Sequence, residues 1–153
     1  MIHETRITRS VDIEASANVV WSVLTDFERY PEWNPFNVHM ESSFQMGAAV
    51  HMRVALFATR LQRQTEYITT LVPKEKICWS LNRPPAWLIG ATRCQSLEPL
   101  EGGWTRYTTD DLNFGLLAPL VMRIYGDAMR RGFEGVCAAL KQRSEEVANP
   151  REE

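Results

Sequence analysis

Up to about residue 114, apolar side chains recur mostly at every second position; from about Leu116 they recur at every third or fourth. The first period belongs to a half-buried strand and the second to an amphipathic helix. Residues 3–13 alternate, with Ile7, Val11 and Ile13 on the apolar face and Thr5, Thr8 and Asp12 off it. Between residues 16 and 24 the period changes briefly, because Val20, Val23, Leu24 and Phe27 fall at i, i+3, i+4 and i+7. Ser16 is placed to cap that helix through its hydroxyl, and Asp26 to cap a short helical turn over Phe27 to Tyr30. Pro31 and Pro35 forbid a longer helix. Phe27, Tyr30 and Trp33 are thereby held on a bent segment suited to a lid or a cavity wall.

Alternation then resumes. A short strand is expected over 37–41, closed by the Met46-Gly47 turn. The next runs from Ala49 to Phe57, with Val50, Met52, Val54 and Leu56 on one face and His51, Arg53, Ala55 and Phe57 on the other. If residues 58–61 form a tight turn, the strand Gln62 to Val72 pairs back with partner numbers summing to about 119. Arg53 then faces Glu66, and Met52 faces Tyr67. Lys76 to Leu81 follows, with Ile77, Trp79 and Leu81 on one face, and Asn82 to Ala86 reads as a rigid loop. Trp87 to Glu98 is expected to be a strand with a bulge at Gly90, and Trp104 to Phe114 the last strand, beyond a tip at residues 101–103. From Leu116 to Arg143 one helical face carries Leu117, Val121, Ile124, Ala128, Phe133, Val136 and Leu140, with Gly132 allowing close approach. Pro119 is tolerable in the first turn of that helix.

Successive hairpins imply an α+β chain with a curved antiparallel sheet of about 6–7 strands. Two short helices follow the first strand. The long C-terminal helix, roughly 25–28 residues or about 40 Å, is the element able to cover the sheet's apolar face. The length of 153 residues suits one domain, read as residues 1–148, with a polar tail over 149–153.

Composition sharpens this by exclusion. A formal charge of −2 and scattered basic residues argue against a nucleic-acid partner. The N-terminus is polar and has no signal-peptide core, and no run approaches the ~20 apolar residues of a membrane span. The chain therefore reads as cytoplasmic. Cys78, Cys94 and Cys137 are too few and too far apart for a zinc knuckle, and their odd number argues against a disulfide framework, so they read as buried reduced thiols. His3, His39 and His51 have no metal-ligand spacing, so no metal is expected, and there is no phosphate-loop or dinucleotide motif to suggest a cofactor. Composition leaves a homodimer open.

The run Val20-Trp21, Leu24, Asp26, Tyr30-Pro31, Trp33, Pro35, followed by Gly47, Trp79, Thr105 and Gly115, resembles the opening and strand signatures of the SRPBCC superfamily. That superfamily includes START domains and polyketide cyclase/dehydrase-like proteins. The resemblance covers about residues 3–145, with Trp104 intruding before Thr105. It implies a helix-grip fold with a cavity between sheet and long helix, of the kind that holds lipids, quinones or polyketides.

The strand registers place Met52, Val54, Leu56, Tyr67, Ile77, Trp79 and Leu81 on the concave face. The long helix would add Val121, Tyr125, Ala128 and Met129, and the bent segment Phe27, Tyr30 and Trp33. A last-hairpin sum near 203 sets Arg93 opposite Asp110, a charged pair able to fix a polar ligand group. Three readings follow. The first is a binder or carrier of a small hydrophobic or aromatic molecule. The second is a polyketide cyclase- or dehydratase-like enzyme using Arg93, Asp110, Tyr67 or Tyr125. The third is a protein-interaction module with an exposed apolar patch around Trp87 and Leu88.

Overall fold

The computed structural model describes residues 3–57, 59–81 and 85–151. The alternating stretches become β1 (His3–Ile13), β2 (Asn37–Glu41), β3 (Ala49–Val54), β4 (Gln62–Val72), β5 (Lys76–Leu81), β6 (Gly90–Pro99) and β7 (Thr105–Gly115). The helical stretches become α1 (Ala17–Thr25), α2 (Tyr30–Trp33) and α3 (Ala118–Ala148). The strands form one antiparallel sheet in the order β1-β7-β6-β5-β4-β3-β2, so β2 to β7 run as consecutive hairpins and β1 closes against β7. This is the helix-grip architecture: the sheet curves around α3, which packs on β1, β7, α1 and α2.

Local chemistry accounts for the elements. Ser16 Oγ accepts from the Val19 N–H at the start of α1. Asp26 makes no such cap; the turn over Phe27–Arg29 closes through its backbone carbonyl. Pro119 sits in the first turn of α3, where its missing N–H is not needed. Phe133, Val136, Cys137, Leu140 and Ser144 form the stripe by which α3 enters the core. Gly132 lies where a Cβ would come within 2.2 Å of the Phe36 ring, so close helix approach requires glycine.

Several expectations are corrected. Leu117 and Ile124, expected on the buried helix face, are exposed. The first turns of α3 overhang a cavity and turn Val121, Tyr125 and Met129 towards it instead. β3 stops at Val54, so the connection to β4 runs from 55 to 61. The longer loop moves the partner sum from 119 to 116: Val50 faces Glu66, Met52 faces Gln64, and Arg53 faces Arg63. An odd shift exchanges the faces of a strand. Glu66 therefore points to the concave side and Tyr67 to the convex side. At the last hairpin the extra residue Trp104 and the turn over Glu101–Gly103 set the sum to 204, so Arg93 faces Asp111 and not Asp110. Residues 85–88 form a turn before β6. Gly90 is no bulge, since the β5–β6 and β6–β7 registers run through without a shift. It leaves room for Phe114, whose ring would meet a Cβ there at 2.3 Å.

The cysteine reading is corrected as well. Cys78 and Cys94 are direct partners across β5 and β6 and form a disulfide. The odd count pointed to three thiols, but cross-strand opposition pairs two of them and leaves Cys137 free and buried.

Candidate functional site

A cavity of about 280 Å³ lies between the concave face of the sheet and α3. Its apolar walls come from the alternation read in the sequence. Met52 and Val54 project from β3, Trp79 and Leu81 from β5, and Val121, Tyr125, Met129 and Phe133 from α3. Lining residues at the closed end, including Asn37, Trp79, Arg93 and Phe133, are buried, whereas Leu56, Gln62, Ile89, Val121 and Tyr125 are half-buried. The cavity therefore opens towards the β3–β4 connection, the segment before β6 and the start of α3.

Set into these walls is a polar cluster. Gln64 and Glu66 enter from β4, Arg93 from β6, Asp111 and Asn113 from β7, and Asn37 from the start of β2. Arg93 is 5% exposed. Its Nε donates to Thr109 Oγ1 at 3.0 Å and its Nη1 to Asn37 Oδ1. Its guanidinium lies 4.5 Å from the centre of the Phe133 ring and 5.9 Å from that of Trp79, cation–π contacts that offset part of the cost of burying charge. Arg93 Nη2 is buried and has no hydrogen-bond partner among the described residues.

The two carboxyls of the cluster are not ion-paired with this cation. Among the described residues no nitrogen of Arg93 lies within 4.0 Å of an Asp or Glu oxygen, so an opposite charge shares the cavity without closing on it. Glu66 accepts from Gln64 Nε2 at 2.8 Å, and Asp111 accepts from Asn113 Nδ2. Burial pushes the Glu66 carboxyl up to about 8, and the Asp111 charge adds to the shift. Burial likewise raises Asp111 to about 6, against the pull of Arg93 and Asn113. Near neutral pH the cavity thus holds a guanidinium with a free N–H, a largely protonated Glu66 and a largely ionised Asp111.

The residues singled out from the sequence divide three ways. Met52, Val54, Trp79, Arg93, Val121, Tyr125 and Met129 line the cavity. Phe27 and Tyr30 are buried one layer behind it: Phe27 packs edge-on to Trp79 at 6.3 Å and to Tyr30 at 5.1 Å, and the Tyr30 hydroxyl donates to the Leu24 carbonyl. Trp33 packs on Tyr30 and borders a separate surface groove with Asp26, Arg29 and Arg143. Tyr67 and Asp110 are corrections. Tyr67 lies on the convex face, and Asp110 accepts from Arg6 and Thr8 of β1 on that same face. Sequence reasoning missed Glu66, Asp111, Gln64, Asn37 and Asn113. Correct registers at the β3–β4 and β6–β7 hairpins would have found all of these but Asn37.

Among solved structures, the chain matches the Zhui aromatase/cyclase from Streptomyces sp. R1128 at 17% identity and a TM-score of 0.78, covering 97% of this chain and 98% of that one. A START superfamily protein from Mycobacterium smegmatis matches at 20% identity and 0.69, covering 93% and 98%. Norcoclaurine synthase from Thalictrum flavum matches at 11% and 0.72, covering 96% and 98%. At such identities these likenesses show the fold alone. No curated protein sequence matches significantly. The family model described as polyketide cyclase / dehydrase and lipid transport matches residues 4–145, and the chain belongs to that family.

Proposed function

We propose that this protein binds a small, mainly apolar, ring-bearing molecule in the cavity between the sheet and α3, oriented by one polar group at Arg93. The observation that carries this reading is the buried, unpartnered Nη2 of Arg93 set into apolar walls. A buried donor without a partner costs roughly 1–3 kcal/mol, and a ligand oxygen would recover it. The volume narrows the class. A cavity of ~150 Å³ holds one benzene ring, so about 280 Å³ suits one or two fused rings rather than a long multi-ring chain. 2-Naphthol, a two-ring phenol, is a direct probe. It should quench Trp79 saturably, and Arg93→Gln should weaken its binding about tenfold, as for loss of one charge-assisted hydrogen bond. Val121→Trp should block binding by filling the cavity, while Asp110→Asn on the convex face should leave it unchanged. Absence of saturable binding, or binding indifferent to Val121→Trp, would refute the reading.

A second reading, a cyclase- or dehydratase-like enzyme, is favoured by the carboxyls. A protonated Glu66, an ionised Asp111 and a donor on Arg93 supply an acid, a base and a partner for a developing oxyanion within one cavity. This suits proton transfer and dehydration next to a carbonyl, and the fold likeness to an aromatase/cyclase is consistent with it. Under this reading Glu66→Gln abolishes turnover of an enolisable aromatic ketone while binding persists. Under the first reading no such ketone is turned over by the wild type.

A further inference from the structure

Large apolar side chains are exposed at the cavity mouth from three separate parts of the chain. Phe57 and Leu61 lie on the β3–β4 connection, Trp87 on the turn before β6, and Leu116, Leu120 and Ile124 at the start of α3. Trp87 is 64% exposed and Ile124 59%. Backbone bonds hold two of these parts together, since the N–H groups of Leu116 and Leu117 donate to the carbonyls of Trp87 and Leu88. Phe57 packs edge-on to Tyr125 at 5.6 Å and so joins the third part to α3. The half-buried lining residues Leu56, Gln62, Ile89, Val121 and Tyr125 are close chain neighbours of the exposed ones. The patch is therefore the rim of the cavity.

Charge is segregated along with apolarity. The chain has 19 acidic residues and a formal charge of −2, yet residues 54–65, 82–97 and 112–126 contain no Asp or Glu. Arg60 and Arg123 are exposed in these segments, with no ion pair among the described residues, and Arg60 stacks on Phe57. The acids that flank these segments in the sequence are Glu41, Glu66, Glu75, Glu98, Asp111 and Asp127. Glu66 and Asp111 are buried in the cavity wall and Asp127 pairs with Arg130, while Glu4 lies opposite Phe114 on edge strand β1. Exposed apolar and aromatic side chains rimmed by arginine, at the entrance to an apolar cavity, match the interface of an anionic bilayer, where apolar tips enter the acyl boundary and guanidinium groups meet headgroups. No helix among the described residues is long and apolar enough to cross a membrane, so such contact is peripheral. A second copy of the chain fits less well, because a two-fold contact through this patch would set two arginine-bearing faces built from acid-free segments against each other.

We infer that the open end of the grip docks on an anionic phospholipid surface through Trp87, Leu120 and Ile124, with Arg60 and Arg123 at headgroup level. This inference rests on the rim, not on what the cavity holds. The test uses the full chain with phosphatidylcholine vesicles, with and without phosphatidylglycerol. The expected result is co-sedimentation with the anionic vesicles, weakened by high salt, with a blue shift of tryptophan emission that Trp87→Phe removes. Ile124→Asp should reduce partitioning about tenfold or more, and so should Leu120→Asp. Val72→Asp, at an exposed apolar site at the end of β4, should not change it. All four sites are exposed, and circular dichroism checks that the variants fold. No sedimentation with anionic vesicles, equal binding to neutral ones, or partitioning indifferent to Ile124→Asp would overturn the inference. So would a concentration-dependent dimer dispersed by Ile124→Asp without vesicle binding, which would assign the patch to self-association.

Discussion

Replacing Glu66 by glutamine should stabilise the protein, and by an amount set by pH. Glutamine keeps the shape of the side chain and an oxygen able to accept from Gln64 Nε2, the existing 2.8 Å bond, but it cannot ionise. The native carboxyl titrates near 8 against an ordinary value of 4.5. Between those values the folded state binds more protons than the unfolded one, so this group makes stability fall as pH rises. Below about pH 4.5 the carboxyl is protonated in both states and contributes no difference. At pH 7 the unfolded group is ionised and the native one is not. The cost of keeping the native group protonated is about two and a half pH units at ~1.4 kcal/mol each, or about 3 kcal/mol. Above pH 8 it levels off near 5 kcal/mol.

Urea unfolding of wild type and Glu66→Gln at pH 4.5, 7 and 9 measures this directly. Titrations common to both proteins cancel in the difference, which should rise from near zero to about 3 and then about 5 kcal/mol. A constant difference across that range would mean that Glu66 titrates like an exposed carboxylate. The inward placement of β4 and the acid role of Glu66 would then both fall.

Three further outcomes follow from the same geometry. Asp111→Asn removes the charge that helps to raise Glu66, so the fall of stability with pH should level off at a lower pH and be smaller; Asp110→Asn touches a solvent-facing pair with Arg6 and should cost under about 1 kcal/mol with no such change, both read by urea unfolding against pH. Gly132→Ala would drive a methyl into the Phe36 ring at 2.2 Å and should cost about 1–3 kcal/mol in a thermal melt; Gly135→Ala meets only Pro35 Cγ at 3.2 Å, and its gain in helix propensity offsets the crowding. Reduction of Cys78–Cys94, which closes a loop with a sequence separation of 16, should cost about 3 kcal/mol, and the Cys78→Ala/Cys94→Ala protein should have a melting temperature indifferent to reductant.

What the sequence disclosed and what it hid divide by how local each signal is. Ser16 at a helix start, Pro119 in a first turn and period-two runs are decided within a few residues, and the corresponding elements stand where they are expected. Strand pairing is decided by the number of residues between strands. The 55–61 connection is longer than a tight turn, and Trp104 adds one residue to the last hairpin. Each changes the partner sum by an odd number, and an odd change inverts a face. The apolar half of the site survived because Met52, Val54 and Trp79 lie on strands whose apolar face is plain without a partner. The polar half did not, because Gln62-Arg63-Gln64-Thr65-Glu66 is polar at both parities and gives the alternation nothing to read.

That lack of contrast was itself informative. A strand in the interior of a sheet that grips a helix must turn one parity towards the core. β4 lies between β3 and β5, so either Gln62, Gln64 and Glu66 or Arg63 and Thr65 had to face inward. The same holds for Asp110-Asp111 on β7, between β1 and β6: adjacent acids on an interior strand commit one carboxylate to the concave face. Register decides which residue it is, not whether there is one. Arg93 on the neighbouring β6 shares that face, so β7 brings an acid alongside the cation in either register. Hairpin length then decided that the residues were Glu66 and Asp111, and that neither closes an ion pair with Arg93. That arrangement leaves the buried Nη2 of Arg93 without a hydrogen-bond partner among the described residues, and the proposed contact with a polar group of a ligand rests on it.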